Sequence, residues 1–294
     1  IRCVAHPDPT DGLAIAKLIS SYKVTIMCGT STFFRLYTKN QKIHSLMFES
    51  LRLVVSGAEK LREDVRIEFK KRFAKDILEG FGTTETSPVA TCNLPDVLSP
   101  DFSIQKGQKA GTVGMAIPGT TIKVVDPVTF KELKVNEEGM ILISGIQVMK
   151  SYLDDEDRTK KALKVINAKT YYITGDKGKL DEDGFLTIVD RYSRFAKIGG
   201  EMISLGAIEE LISSFIESTY NLIDFLVTSL DDEKKGEKIV LLISNANKEF
   251  IQELKEKILK NFDNKLMIPS EIKIVEEIPK LGSGKKDFAK AKYL

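Results

Sequence analysis

In the first hundred residues, the apolar positions alternate between the spacing of a helix and that of a buried strand. Apolar residues recur every three to four positions after Asp11 and again over 61–73, which predicts two amphipathic helices, and Ser31 can cap a third. Strands and helices in alternation predict parallel α/β layering, which we assign to residues 1–105. Three short apolar runs predict the buried strands: 24–27, 51–55 and 77–78.

From residue 106 the pattern changes to short apolar runs separated by turns that contain glycine, with little helical periodicity. Residues 106–193 therefore predict a β-rich, barrel-like subdomain of the same core. The predicted strands cover 112–113, 121–125, 140–144, 171–174 and 184–189. Residues 194–294 mix both patterns and predict a small α+β domain. Its helices cover 207–216 and 248–261, and its strands 222–228, 238–244 and 271–275.

Length, composition and charge limit the class of protein. The chain has 294 residues, of which 42% are hydrophobic and 29% charged, as in a globular protein of about two domains. A net charge of +2 gives no basic excess, so no nucleic-acid partner is expected. No apolar run approaches the ~20 residues of a membrane span, and no signal peptide is recognisable, so we expect a cytoplasmic protein.

Histidine and cysteine restrict the chemistry further. Two histidines exclude a histidine-rich metal site and argue against a histidine-based catalytic triad. Three cysteines without C-x-x-C spacing fit a reducing compartment rather than a disulfide framework.

One candidate site is the stretch GFGTTET over residues 80–86, which follows a predicted strand. Its glycines allow a ligand to approach the backbone, its threonine hydroxyls suit phosphate oxygens, and Glu85 offers a hard oxygen to Mg²⁺. A polar turn with a capping threonine explains the stretch equally well when it is considered alone.

Two further stretches carry candidate ligands for a nucleotide. Residues 172–176 (YITGD) place Asp176 at the end of a strand, where a carboxylate can accept both hydroxyls of a ribose. Residues 279–285 (PKLGSGK) place Lys285 among glycines, although the stretch lacks the spacing of a Walker loop. Alone, the first is also typical of a β-turn and the second of a solvated basic tail.

The order of the motifs is more informative than any one of them. It resembles the successive core motifs of the adenylate-forming superfamily, which contains acyl-CoA synthetases, luciferases and peptide-synthetase adenylation domains. Residues 5–26 and 195–210 (FAKIGGEMISLGAIEE) are most similar to the acyl-[acyl-carrier-protein] synthetase module of bacterial bifunctional proteins. The motifs are SGAE (56–59), GFGTTE (80–85), GTVGMAIPG (111–119), YITGD (172–176), Asp190-Arg191 with Lys197 and Gly200, and PKLGSGK (279–285).

The resemblance implies a role for each motif residue. ATP and Mg²⁺ are the implied cofactors, with Glu85 holding the metal and Thr84 contacting the α-phosphate. Lys285 would bridge the attacking carboxylate and the α-phosphate, stabilising charge in the transition state. The implied nucleotide-binding residues are Gly57, Ala58, Phe81, Gly82 and Thr83 around the base and phosphates, and Asp176 and Arg191 at the ribose.

The resemblance also implies a mobile C-terminal domain. Rotation at the hinge residue Arg194 would exchange the Lys285 loop for a loop that contains Lys197, Gly199 and Gly200, which then serves the thioester step. The chain departs from the family at four positions. Arg194 stands where the family often has Asp or Lys, Asp190 and Ser151 stand where it often has Gly, and Phe288 stands where it often has a basic residue.

The expected reaction is activation of a fatty acid as an acyl-adenylate, followed by transfer to the phosphopantetheine thiol of acyl carrier protein. No stretch matches the pyrophosphate loop of the family, so we expect the C-terminal part of a synthetase, inactive as this fragment. A fused lysophospholipid acyltransferase upstream and a place at the inner face of the membrane are further expectations. Two alternatives stay open: an acyl- or aryl-CoA synthetase that uses coenzyme A, and a non-catalytic module that binds nucleotide or carrier.

Overall fold

The computed structural model describes residues 2–216, 223–232, 236–280 and 286–294. It divides the chain into two compact units, Ile1–Val189 and Asp190–Leu294. The expected division into three parts at residues 105 and 193 stays a prediction. Among the described helices, none is long and apolar enough to cross a membrane.

The first unit begins with an α/β layer. Its sheet contains β1 (Ile26–Gly29), β2 (Leu53–Ser56), β3 (Ile77–Phe81), β4 (Thr91–Cys92) and β7 (Met115–Ala116). The strands lie in the order β1-β2-β3-β4-β7, in which β1, β2 and β3 are parallel and β4 and β7 are antiparallel to their neighbours. The parallel strands are connected by helices, as the alternating pattern predicts.

Three helices pack against this sheet: α1 (Gly12–Tyr22), α2 (Ser31–Lys39) and α3 (Glu63–Phe73). The carboxylate of Asp11 caps α1 by accepting the Ala14 N–H at 3.0 Å. The expectation that Ser31 caps α2 is wrong, because the cap is Thr30, and the Ser31 hydroxyl instead accepts the Arg62 N–H at 3.1 Å.

Aromatic rings form the centre of this layer. Phe69 of α3 is fully buried and lies 5.4 Å from the Phe34 ring, 6.1 Å from Phe48 and 4.8 Å from Phe73. Such offset and edge-on ring pairs stabilise a core beyond the area they bury. This cluster holds the helices on the sheet that carries the candidate site.

The second sheet of the unit is a curled, half-barrel arrangement of antiparallel strands. The strands are β8 (Thr120–Val125), β9 (Gly139–Gly145), β10 (Leu163–Ile166), β11 (Lys169–Leu180) and β12 (Leu186–Arg191). They lie in the order β10-β11-β9-β8, with β12 also paired to β11. A small ribbon of β5 (Val97–Leu98) and β6 (Ile104–Gln105) completes the unit.

Two sequence expectations for this region need correction. Residues 112–113 do not form a strand, since Val113 instead donates a single backbone hydrogen bond to Leu186 at 2.8 Å. The region also contains a helix that the turn-rich pattern did not predict, α4 (Glu156–Ala162), which Asp155 caps through the Arg158 N–H. Its seven residues include no buried side chain, so they show no apolar face that periodicity detects.

The second unit is an α+β domain with its own core. Its five-stranded sheet contains β13 (Phe195–Ile198), β14 (Glu201–Ser204), β15 (Asp224–Asp232), β16 (Gly236–Ser244) and β17 (Glu271–Ile274). Its helices are α5 (Leu205–Ile216), α6 (Lys248–Asn261) and α7 (Phe288–Ala291). The apolar faces of α5 and α6 close the core over the sheet. The expected fold class, α/β followed by α+β, is confirmed.

Candidate functional site

Two motifs meet at one edge of the first sheet. β2 ends at Ser56 and β3 at Phe81, and because these strands are parallel, the residues that follow them leave the sheet at the same edge. Ser56 is paired with Glu79 in the register of the two strands, and an added Cβ on Gly57 would lie 3.6 Å from the carbonyl oxygen of Gly80, so the two motifs lie side by side. Ala58 is exposed beside them in the left-handed region, with φ of +68°.

The loop that begins at Gly82 is held by close packing of its backbone. An added Cβ on Gly82 would collide with the carbonyl oxygen of Pro88, so only glycine fits there. The neighbouring Phe81 is half-buried against the core of the second sheet, which includes Ala90 and Ile141. The structure therefore presents the backbone of this loop at the edge, with the half-buried Phe81 beside it.

The threonines of the loop divide between structure and surface. Thr86 is fully buried, and its hydroxyl accepts the Thr83 N–H at 2.9 Å and lies 3.0 Å from the Pro88 carbonyl. The expectation that all three threonines can meet phosphate is therefore wrong for Thr86, whose hydroxyl closes the turn. Thr84 is exposed and keeps its hydroxyl available to a ligand.

Glu85 is the acidic group of this loop, and two tyrosines surround it. Its Oε1 accepts a hydrogen bond from the Tyr152 hydroxyl at 2.6 Å, and its backbone carbonyl accepts the Met149 N–H at 2.8 Å. Burial alone would raise the pKa of Glu85, but hydrogen bonds led by that from Tyr152 outweigh it and lower the pKa. Burial and the negative charge of Glu85 raise the pKa of Tyr172 to about 12.

The tyrosines were missed by sequence reasoning. Tyr152 lies 67 positions from Glu85 along the chain, and no local spacing connects them. Tyr172 belongs to β11 and lies close to Glu85. The loop therefore lies beside the strand that carries Asp176.

Asp176 lies on an irregular stretch of β11. The register between β11 and β9 shifts between Ile173 and Lys177, which marks a bulge. Within it Gly175 has φ of +75°, and the Thr174 hydroxyl donates to the Ile141 carbonyl at 2.8 Å and accepts the Asp176 N–H at 3.0 Å. Asp176 as a whole residue is only 3% exposed. A bulge that re-aims one side chain is typical of a functional position.

In the second unit, Asp190 precedes the predicted ligand Arg191. One carboxylate oxygen accepts the Arg191 N–H at 2.7 Å, and the other accepts the Gly206 N–H at 3.0 Å and the Ser204 hydroxyl. Asp190, one of the departures from the family pattern, thus caps the N-terminus of α5. Arg191 itself is exposed.

Arg194, the predicted hinge residue, has a mostly buried side chain. Its guanidinium lies 2.9 Å from the Glu209 carboxylate and 4.2 Å from the centre of the Phe288 ring. Glu209 also accepts the Val227 N–H at 2.8 Å. Two departures from the family pattern, Arg194 and Phe288, are therefore in contact with each other.

Three of the remaining predicted residues lie on a hairpin. Gly199 and Gly200 form the turn between β13 and β14 with positive φ, and Lys197 is exposed on β13 beside them. Lys285 lies outside the described residues. On either side of that segment, Lys280 and Lys286 form an antiparallel bridge, and Lys280 pairs with Asp224 at 2.9 Å.

Comparison with known proteins gives the following similarities. A family model for "AMP-binding enzyme" matches residues 1–153. 4-Coumarate–CoA ligase 2 of Nicotiana tabacum is 31% identical over 280 residues, covering 94% of this chain and 49% of that protein. A long-chain-fatty-acid–CoA ligase of Yersinia pestis is 26% identical over 284 residues, covering 97% of this chain and 47% of that protein.

Solved structures show the same fold. The crystal structure of an ATP-bound RpMatB-BxBclM chimera superposes with a TM-score of 0.79 at 25% identity, covering 96% of this chain and 53% of the chimera. The chain thus spans about half the length of the proteins it matches.

Proposed function

Because the chain belongs to the AMP-binding enzyme family, we propose that it forms part of an acid–thiol ligase that activates a carboxylic acid with ATP. The intermediate is an acyl-adenylate, and the acyl group then passes to a thiol. The observation that carries the proposal is the junction of the 80–86 loop with β11. Glu85 lies beside Tyr152 and close enough to Tyr172 to raise its pKa, and Asp176 follows four residues along the same strand.

In this proposal the sheet edge binds the nucleotide. The backbone at Gly57 and Ala58 and the half-buried Phe81 ring flank the base. The exposed Thr84 contacts the α-phosphate, with Gly82 and Thr83 giving the backbone close access. The carboxylate of Asp176, fixed by the bulge of β11, accepts hydrogen bonds from the ribose hydroxyls. The nucleotide-binding role of Arg191 is part of the same proposal.

The residues of the loop fit a magnesium ion that is shared with ATP. No group of three or more acidic, histidine or cysteine side chains lies together among the described residues, so the chain has no dedicated metal cage there. Mg²⁺ in nucleotide enzymes is typically held by one or two carboxylates together with phosphate oxygens, and Glu85 offers a carboxylate of lowered pKa. When bound, the ion would neutralise charge on the phosphates.

The C-terminal unit supplies the remaining groups in the proposal. Lys285 places a cation between the acid and the α-phosphate during adenylation. The loop with Lys197, Gly199 and Gly200 serves the thioester step after rotation at Arg194.

The acid and the acceptor define the finer proposal. The long-chain-fatty-acid–CoA ligase of Yersinia pestis supports a fatty acid as substrate, and 4-coumarate–CoA ligase 2 supports an aryl acid as the alternative. Both names favour coenzyme A as acceptor. The 195–210 stretch resembles acyl-[acyl-carrier-protein] synthetases and supports acyl carrier protein.

The test is calorimetric binding of a non-hydrolysable long-chain acyl-AMP analogue to this chain. We expect the wild type to bind and Asp176→Ala to lose binding at least 10-fold, because the ribose hydroxyls lose their acceptor. Asp183→Ala is the control, since Asp183 lies on the exposed turn before β12. Equal affinity of all three proteins would refute the assigned site.

The acceptor is tested by adding authentic acyl-AMP to the complete enzyme with either coenzyme A or phosphopantetheinylated acyl carrier protein. Lys285→Ala should slow adenylation ~100-fold and leave this second step intact, because only adenylation needs the cation. Loss of both steps in Lys285→Ala would contradict its role.

A further inference from the structure

A cluster of side chains around Glu85 lies outside the motifs that indicated the function. The Tyr152 hydroxyl donates to Glu85 Oε1 at 2.6 Å, and the Arg158 guanidinium stacks 4.0 Å from the centre of the Tyr152 ring. The carboxylate is thus contacted by a phenol whose own ring is covered on one face.

The backbone of the same segment is also fixed. The Tyr152 N–H donates to the Thr159 hydroxyl at 2.9 Å, and that hydroxyl donates to the Asp155 carbonyl at 2.8 Å. Three residues before Tyr152, the Met149 N–H donates to the Glu85 carbonyl at 2.8 Å. The segment therefore holds Glu85 by both its backbone and its side chain.

We propose that Tyr152 is a positioning residue that orients the Glu85 carboxylate for a divalent cation bound together with the nucleotide. This inference rests on the proposed function. Arg158 and Thr159 act on Tyr152, one by covering its ring and the other by fixing its backbone.

The chemistry of a carboxylate explains why such a residue matters. An ionised carboxylate has about four lone-pair positions, and the Tyr152 hydroxyl occupies one of them. Fixing one oxygen orients the remaining lone pairs before the cation arrives. Partners that orient a metal ligand in this way typically contribute 10–100-fold to metal affinity.

The experiment uses this chain, ATP and Mn²⁺, with the signal of free Mn²⁺ followed by electron paramagnetic resonance. Tyr152→Phe removes one hydroxyl and keeps the ring under Arg158. Tyr22→Phe is the matched control, because Tyr22 is exposed at the end of α1. Glu85→Gln removes the ligand charge. ATP affinity without metal is measured for each protein by calorimetry.

We expect Tyr152→Phe to weaken Mn²⁺ binding to the ATP complex by about 10-fold. Its ATP affinity without metal should stay unchanged, Tyr22→Phe should match the wild type, and Glu85→Gln should remove the protein's contribution to Mn²⁺ binding.

Three other results would each overturn the inference. If only Glu85→Gln weakens Mn²⁺ binding, Glu85 is a ligand that needs no positioning by Tyr152, and the proposed function stands. If Tyr152→Phe weakens ATP binding without metal as much as it weakens Mn²⁺ binding, Tyr152 supports the nucleotide pocket rather than the cation, and the proposed function again stands. If the wild type binds neither ATP nor Mn²⁺ with ATP, the proposed function fails for this chain and the inference fails with it.

Discussion

At the residue scale, Gly82 and Gly57 differ in a way that the sequence does not show. Both are glycines in candidate nucleotide motifs at one sheet edge. A Cβ on Gly82 would meet the backbone of Pro88, which cannot move aside as a flexible side chain does. A Cβ on Gly57 would make only an ordinary contact at 3.6 Å with Gly80.

We predict that Gly82→Ala destabilises the protein by about 3 kcal/mol, because backbone must shift to relieve the overlap. Gly57→Ala is the control and should change the free energy of unfolding by less than about 1 kcal/mol. Urea denaturation of the first unit measures both. Equal stability of the two variants would show that the loop at Gly82 adapts without cost.

Exposure was predictable for a side chain at the surface of a motif, as at Thr84, whose contact with phosphate stays a prediction. It was not predictable where the side chain turns inward. Thr86 is the same residue type in the same motif as Thr84, but it is buried against Pro88, a contact that only the folded loop defines. Tyr152 gave no signal because its partner is distant in sequence.

At the element scale, prediction succeeded where a periodic face and a cap agree. The helix expected over 248–261 is observed with those bounds as α6, because Asn247 caps it and its apolar residues recur on one face. Strands of two residues, β4 and β7, carry too few positions for any period and were missed. Helix α4 was missed because none of its residues is buried.

The contact between Arg194 and Phe288 ties the short turn before β13 to helix α7. We predict a coupling free energy of about 1 kcal/mol between them, because the guanidinium lies over the ring and is mostly shielded from water. The measurement is a double-mutant cycle of Arg194→Ala and Phe288→Ala by urea denaturation.

In this cycle Arg194→Lys is an informative third variant. It keeps a cation near Glu209 but loses the planar group that stacks, so it should retain only part of the coupling. If the losses in the free energy of unfolding from the two alanine changes are strictly additive, the Phe288 ring and the Arg194 guanidinium contribute to stability independently.

At the scale of the whole molecule, each unit has a separate hydrophobic core. The core of the second unit includes the fully buried Ile208 and Ile212 of α5, together with residues of β15, β16 and α6. The aromatic cluster around Phe69 belongs to the first unit alone. Separate cores predict separate unfolding transitions in calorimetry.

We therefore predict that Ile208→Ala lowers the temperature of one unfolding transition only. The free energy of unfolding of the second unit should fall by about 2–5 kcal/mol. Leu211→Ala on the same helix is the control, because Leu211 is 39% exposed and leaves a smaller cavity. A single transition that moves as a whole in Ile208→Ala would contradict separate unfolding.

The family was predictable from the sequence because six short motifs occur in a fixed order, and the match of residues 1–153 to the family model confirms it. The roles of the site residues stay predictions. They depend on groups brought together by folding and by ligands, which the order of motifs does not specify.

The stacking of Arg194 on Phe288 has one more consequence, for nuclear magnetic resonance. A proton that lies over the face of an aromatic ring is shielded by the ring current, so the guanidinium protons of Arg194 should resonate upfield of those of exposed arginines. Isotope labelling of arginine alone would then give an intrinsic reporter of this joint. The signal would return to an ordinary position whenever the ring and the guanidinium part.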